Sequence, residues 1–375
     1  MNDDYCYADA LSFQKRTLLP RTQAERPLCF LREEDRLPPG CEISPDGTLT
    51  FSLLFPRASS VQIRFFSTPP QELSLVRDGE LWRGNIFAGT GLIGLQVIVD
   101  GQEVLSPMLP IGFGGNLPMN MLEVPEKGAV IGPTAVPHGS AVNDYFESAV
   151  SGKLERICVY LPPDYPTSNR KYPVLYLQHG HGENETVWVN QGRMNFIADQ
   201  LIAAGRAVST IVVMCNGMMC VEEEDGVRLG YTGEFPRMLL EEVIPFIESR
   251  YRVYSDAGQR AMAGLSMGSI QTSIVTLNHP ELFSHVGLFS GFVQEPLTGY
   301  AEHLEPEKLE RYRNSFKLYF RAIGDQDPYL PNFLSDDELL SRYGIDCERR
   351  IYPGGHEWKV WQHCFHDFYQ LLFQE

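Results

Sequence analysis

The stretch Arg260-Ala261-Met262-Ala263-Gly264-Leu265-Ser266-Met267-Gly268-Ser269-Ile270-Gln271-Thr272-Ser273-Ile274-Val275 decides the fold. Residues 260–263 are a mostly apolar run that reads as a buried strand, and residues 269–275 read as a helix. Between them stands Gly-x-Ser-x-Gly, which in a strand–turn–helix context is a nucleophile elbow. The turn at Ser266 must be so sharp that side chains two residues before and after would collide with the neighbouring backbone. Glycine at 264 and 268 relieves that crowding. The serine hydroxyl is then presented at the tip of a sheet, and the helix that follows aims its N-terminus, with free N–H groups, at a developing oxyanion.

The surrounding text supports an α/β unit. Apolar runs at 156–161, 173–177, 210–214, 260–263, 285–289, 317–322 and 347–352 read as doubly covered strands. Helical stretches lie between them, notably 235–250 and 330–343, and 358–373 is a closing amphipathic helix. This rhythm predicts a mostly parallel sheet whose ligands bind beyond the carboxyl ends of its strands. Upstream the period changes. Short β-type segments at 49–55, 61–66, 81–87 and 92–99 are punctuated by Asp46-Gly47, Asp78-Gly79 and Asp100-Gly101, which are hairpin dipeptides. A small β-sandwich is expected there, with Trp82 as compatible with its core as with a sugar platform, and 111–137 reads as a linker.

Composition excludes some partners. The chain has 375 residues, 43% hydrophobic and 21% charged, and a formal net charge of −17. That charge argues against nucleic acid or an anionic membrane as a partner, since both need a basic surface. The N-terminal Met1-Asn2-Asp3-Asp4-Tyr5 shows no basic or apolar leader region, so a cytoplasmic location is expected. The eight cysteines are dispersed rather than framework-like, and reduced, mostly buried thiols are expected.

An activated serine needs a base and an orienting acid, in the chain order Ser, Asp or Glu, His for this topology. His356 follows the strand 347–352 on a loop with Gly354 and Gly355, and is preferred as base over His363 and His366, which fall inside the last helix. Those two stand three residues apart with no third ligand at a zincin-like spacing, so no metal is expected. Asp325 and Asp327 both follow the strand at 317–322 and spacing does not separate them. A second oxyanion donor is expected from the turn His179-Gly180-His181-Gly182 after the strand at 173–177, with His179 as a structural residue beneath the loop. The long connection from 216 to 234 leaves a strand on the catalytic side; Met218, Met219 and Tyr231 are expected to line the substrate pocket, with Trp358 on the opposite wall.

Five segments together carry a family resemblance: His179 to Glu185, Gln191 to Asn195, Pro245 to Tyr251, Gly264 to Gly268 and Gly354 to Trp358. They resemble the esterase D-type α/β-hydrolases, which include feruloyl, acetylxylan and enterochelin esterases. The preceding β region is similar to the immunoglobulin-like early-set domain that often precedes them. The resemblance implies an α/β-hydrolase fold and the division 1–30 arm, 31–127 immunoglobulin-like sandwich, 128–375 catalytic domain. It selects Asp327, the last residue of Gly324-Asp325-Gln326-Asp327, as the acid, and the amides of Met267 and His181 as the oxyanion donors. It implies a serine carboxylesterase without a cofactor, acting on a small ester, with feruloyl or other carbohydrate-linked esters favoured. An enterochelin-type siderophore esterase and a non-catalytic binding protein on a hydrolase scaffold are the alternatives. The β region could bind carbohydrate, cover the site or mediate a homo-oligomer.

Overall fold

The structure, a computed structural model, describes residues 37–67, 69–126, 132–223, 226–230, 232–291, 293 and 306–374. The arm expected over 1–30 lies outside them. Contacts divide the described chain into two compact units, one of the residues up to 126 with Glu357–Lys359, the other of 132–356 with 360–374.

The first unit is built from strands β1 (Cys41–Ile43), β2 (Thr48–Leu54), β3 (Val61–Phe65), β4 (Gln71–Ser74), β5 (Val76–Asp78), β6 (Leu81–Phe87), β7 (Gly91–Val99), β8 (Gln102–Val104), β9 (Ile111–Gly114) and β10 (Leu117–Val124). They form two antiparallel sheets, ordered β1-β2-β6-β5 and β4-β3-β7-β10-β9, with β8 paired to β7. Alternation drives the packing. In β3 the side chains of Val61, Ile63 and Phe65 are buried while Gln62 and Arg64 face water. They share one core with Leu49, Phe51 and Leu53 of β2 and with Leu95, Val97 and Leu122. Each such fully buried side chain contributes roughly 1.5–3 kcal/mol. Trp82 belongs to this core and donates its indole N–H to the Phe55 carbonyl at 3.0 Å, so it is no sugar platform.

The hairpin dipeptide Asp100-Gly101 joins β7 to β8, with φ of 50° and 83° as a two-residue turn of this hand requires. The linker expected at 111–137 is different in part: β9 and β10 are paired strands joined by Gly115-Asn116, again both at positive φ. Gly112 hid the strand signal. A Cβ there would lie 2.3 Å from the Met121 sulfur, so the thioether occupies the space a side chain would need.

The second unit centres on an eight-stranded sheet. Its strands are β11 (Ser140–Ser148), β12 (Lys153–Leu161), β13 (Val174–Gln178), β14 (Ile211–Cys215), β17 (Arg260–Leu265), β18 (His285–Phe289), β19 (Leu318–Gly324) and β20 (Glu348–Tyr352); β15 (Cys220–Glu223) and β16 (Gly226–Leu229) form a separate hairpin. The order is β11-β12-β14-β13-β17-β18-β19-β20, antiparallel through β11, β12 and β14 and parallel beyond. The chain reverses its direction of progress between β14 and β17, which flank β13. Such a switch point opens a crevice at the carboxyl ends of the strands.

Helices cover the sheet: α1 (Val187–Asn190), α2 (Met194–Ala203), α3 (Glu234–Met238), α4 (Ile244–Arg250), α5 (Met267–Asn278), α6 (Pro306–Ser315), α7 (Leu330–Tyr343) and α8 (Trp358–Leu371). The single helix expected over 235–250 contains a π-helical stretch, Leu239–Val243, between α3 and α4. Pro245 follows it; proline has no N–H to give the preceding turn, and the wider π turn absorbs that loss. Phe235, Met238, Leu239, Val243 and Ile247 from this helix pack on Val159, Tyr176, Val213 and Met262 of the sheet. The described cysteines are all free thiols, with Cys41, Cys158, Cys215 and Cys364 buried.

Candidate active site

Ser266 stands between β17 and α5 with φ 49° and ψ −117°, a conformation that L-residues rarely adopt. The two motif glycines make it possible. A Cβ on Gly264 would lie 2.4 Å from the carbonyl carbon and oxygen of Gly268, and one on Gly268 would lie 2.6 Å from the His179 carbonyl oxygen. The Ser266 amide donates to the Phe289 carbonyl at 2.9 Å, tying the elbow to the end of β18. Met267 opens α5, so its amide is among the first N–H groups that have no partner within the helix.

His356 reaches the elbow from the other side of the sequence. Its Nε2 is 3.0 Å from Ser266 Oγ and its Nδ1 is 2.8 Å from Asp327 Oδ2. The Asp327 side chain is fully buried and its Oδ1 also accepts the Tyr329 amide at 2.9 Å, so the carboxylate is held by two partners. The three residues stand at the ends of β17, β19 and β20. Asp325 does something else. Its Oδ1 accepts the Gly354 amide at 2.9 Å, and its own amide donates to the Tyr352 carbonyl at 2.8 Å. It braces the loop that carries His356, where Gly354 takes φ 132°. The backbones approach so closely that a Cβ on Gly324 would meet the Gly354 oxygen at 2.2 Å.

The turn after β13 lies against the serine. A Cβ on Gly180 would come within 3.5 Å of the Ser266 Cβ and 2.6 Å of Leu265 Cδ1. His181 is exposed between buried Gly180 and Gly182. His179 is buried beneath the turn. Its Nε2 accepts the Gly217 amide at 2.9 Å, which leaves the proton on Nδ1 to be donated to the Gly180 carbonyl at 2.7 Å. Gly180 O and the His181 N–H belong to one planar peptide, so this bond orients the N–H as well. Burial lowers the His179 pKa to about 4.

That shift has a consequence for stability. The folded-state value lies below the ordinary 6.5, so between the two the unfolded chain binds more protons. The contribution is present in full above about pH 6.5, declines as pH falls and levels off near 4, and is on the order of 3 kcal/mol. Burial and the Lys317 charge lower His285 in the same direction, also to about 4. Urea unfolding from pH 7 to 4 is expected to show this decline, with a shallower slope in His179→Gln. Equal slopes in both proteins would remove His179 as a source.

The substrate-wall residues expected from sequence separate in the structure. Met219 is 7% exposed and packs in the core with Phe235 and Met238, so it lines no pocket. Met218 is directed instead to the turn after β13: its sulfur lies 3.3 Å from the Gly182 amide. Tyr231 lies outside the described residues. Trp358 opens α8 and is 6% exposed, which leaves little of it to form a wall. Tyr329 and Trp361 were not singled out by sequence, yet both rings pack edge-on to His356, at centroid distances of 5.3 and 5.1 Å. Tyr329 is 39% exposed. The signal for Trp361 was available, since it lies one helical turn beyond Trp358. The long connection after β14 is not a bare loop, because β15 and β16 pair within it. His363 stacks on Tyr352 and His366 bonds Asp367, both away from the elbow.

An eight-stranded sheet of this order, with a serine at the β17–α5 turn and an aspartate and histidine after the next strands but one and two, defines an α/β-hydrolase. The esterase family model matches residues 148–320. An endo-1,4-beta-xylanase/feruloyl esterase of Xylanibacter ruminicola is 35% identical over 245 residues, covering 64% of this chain and 32% of that protein. The chain thus spans about a third of the length of this curated relative. Among solved structures, a ferulic acid esterase aligns with a TM-score of 0.57 at 25% identity, over 63% of this chain and 98% of that one. The enterobactin esterase of Shigella flexneri aligns with a TM-score of 0.62 over 87% of this chain and 93% of that one; at 14% identity this likeness concerns the fold alone. Residues 148–320 thus match the esterase family, and the second unit has the α/β-hydrolase fold of these esterases.

Proposed function

We propose that the protein is a serine carboxylic ester hydrolase acting on feruloyl or other carbohydrate-linked esters. The observation that carries the reading is the hydrogen-bonded chain Ser266–His356–Asp327 at a strained elbow. Ser266 Oγ attacks the ester carbonyl carbon while His356 Nε2 takes its proton. Asp327 holds the imidazole in the tautomer with its proton on Nδ1 and stabilises the imidazolium. The amides of Met267 and His181 receive the negative charge on the carbonyl oxygen. As the tetrahedral adduct collapses, the bond to the alcohol oxygen breaks and His356 returns the proton to that oxygen. A water molecule, deprotonated by His356, then releases the acid and restores Ser266.

The acyl preference is supported by the relatives named for feruloyl ester cleavage and by the aromatic surroundings of His356. A substrate panel tests it: a feruloylated arabinose, methyl ferulate, p-nitrophenyl acetate and a catecholate lactone of the siderophore type. We expect the highest kcat/KM on a feruloyl ester. A preference for the catecholate lactone or for acetate would replace the substrate class. Absence of turnover on every ester, with Ser266 inert to a fluorophosphonate, would leave a binding protein.

A further inference from the structure

Two loops meet beside the elbow, and they exchange hydrogen bonds in both directions. The turn after β13 supplies His179 Nε2, which accepts the Gly217 amide of the loop after β14 at 2.9 Å. The loop after β14 supplies the Met218 sulfur, which lies 3.3 Å from the Gly182 amide of the turn after β13. Each loop therefore gives one glycine N–H to a side chain of the other. His181 stands between the two points of attachment, His179 and Gly182.

The loop that carries Met218 is itself fixed. The Met218 amide donates to Asn216 Oδ1 at 3.0 Å, and Gln271 of α5 donates to the Gly217 carbonyl at 3.0 Å. The contact is close: a Cβ on Gly217 would lie 2.8 Å from Gln271 Oε1, so the end of the Gln271 side chain packs directly on this loop. On the other loop the Gly180 amide is held by Glu183 Oε2 at 3.0 Å, and its carbonyl by His179. Gly182 is buried and takes φ 76°, so its N–H has lost water and the thioether is the acceptor that faces it. Sulfur is a weak acceptor, yet a buried amide left without one costs about 1–3 kcal/mol.

We infer that Met218 is a positioning residue of the active site: through its bond to Gly182 it closes a two-point clamp, with His179 as the other point, that fixes the His181 amide for the oxyanion. This rests on the ester-hydrolase reading above. It also replaces the pocket-wall role that the sequence assigned to Met218. A positioning role and a wall role differ in what they do to the kinetics. A clamp acts when charge develops on the carbonyl oxygen, so it affects kcat and leaves ground-state binding alone; a wall affects KM.

Met218→Leu is nearly isosteric and removes only the acceptor. Loss of a whole oxyanion donor costs about 10²–10³ in kcat, and a donor left in place but loosened is expected to cost about 5–20-fold. KM on methyl ferulate should stay within about twofold, and affinity for a boronic acid that forms a tetrahedral adduct on Ser266 should fall in parallel with kcat/KM. Met218→Gln, whose amide oxygen can accept the Gly182 N–H, should recover a large part of the loss. Ferulate binding and the melting temperature show that each variant is folded. Wild-type kcat in Met218→Leu would overturn the clamp, as would a rise in KM at unchanged kcat, or Leu and Gln variants that are equally impaired. The ester-hydrolase reading fails separately, if a fluorophosphonate does not label Ser266 in the unmodified protein.

Discussion

Ser266→Ala is expected to lower ester turnover by roughly 10⁵–10⁶-fold, the scale on which loss of a nucleophile acts in a serine hydrolase. The fold should survive the change. Ser266 is partly exposed, so removing its oxygen leaves no core cavity. Alanine and serine both carry a Cβ, so the strain at φ 49° and ψ −117° is the same in both proteins. The melting temperature and the affinity for ferulate should change little. Mass spectrometry after fluorophosphonate treatment gives the decisive readout: the label should sit on Ser266 and be absent from the variant. A variant that keeps more than about one per cent of the rate, well above the expected residue, or a label on another serine, would sink the assignment.

The second large effect separates two aspartates that stand two residues apart. Asp327→Asn is expected to lower kcat by about 10³–10⁴-fold, because the amide neither stabilises the imidazolium nor favours the tautomer with its proton on Nδ1. The geometry behind this is the 2.8 Å contact between Asp327 Oδ2 and His356 Nδ1. Asp325→Asn should cost less than about tenfold, since its side chain only accepts the Gly354 amide and an asparagine oxygen can still do so. What remains of the Asp325 effect should appear as reduced thermal stability of the loop that carries His356. Should Asp325→Asn prove the more damaging of the two, the bond between Asp327 and His356 would not be the one that catalysis uses.

Features that depend on neighbours in the chain were open to reading. The elbow is one in part, because a Cβ on Gly264 would collide with Gly268 of the same motif, although Gly268 itself makes room for Gln178 and the His179 carbonyl of the turn after β13. The hairpin at Asp100-Gly101 is another, because positive φ at both positions is a local demand. Parallel strands buried on both faces announce themselves as apolar runs, and the strand at 285–289 matches β18 residue for residue. The runs 156–161 and 347–352 fall within a few residues of β12 and β20. Where covering side chains come from another strand, the same reading failed. Gly112 looks like a linker residue until Met121 is placed over it.

What the sequence determined by itself is therefore a serine on a strand–turn–helix elbow within an α/β unit that follows a β unit. It also supplied a short set of candidates for each partner, since residue type and local spacing are properties of the chain. The tertiary structure decided among the candidates. Ser266 and His356 are 90 positions apart, and Asp327 and His356 are 29 apart, so their contact depends on the order in which strands enter the sheet. The same order puts Tyr329 and Trp361 against His356, turns Met219 into the core, and brings Met218 to Gly182 across 36 positions. Local pattern cannot carry such choices: adjacent residues like Met218 and Met219 share a composition and a neighbourhood in sequence, and only the surface that each one faces after folding distinguishes a bond to a catalytic loop from a place in the core.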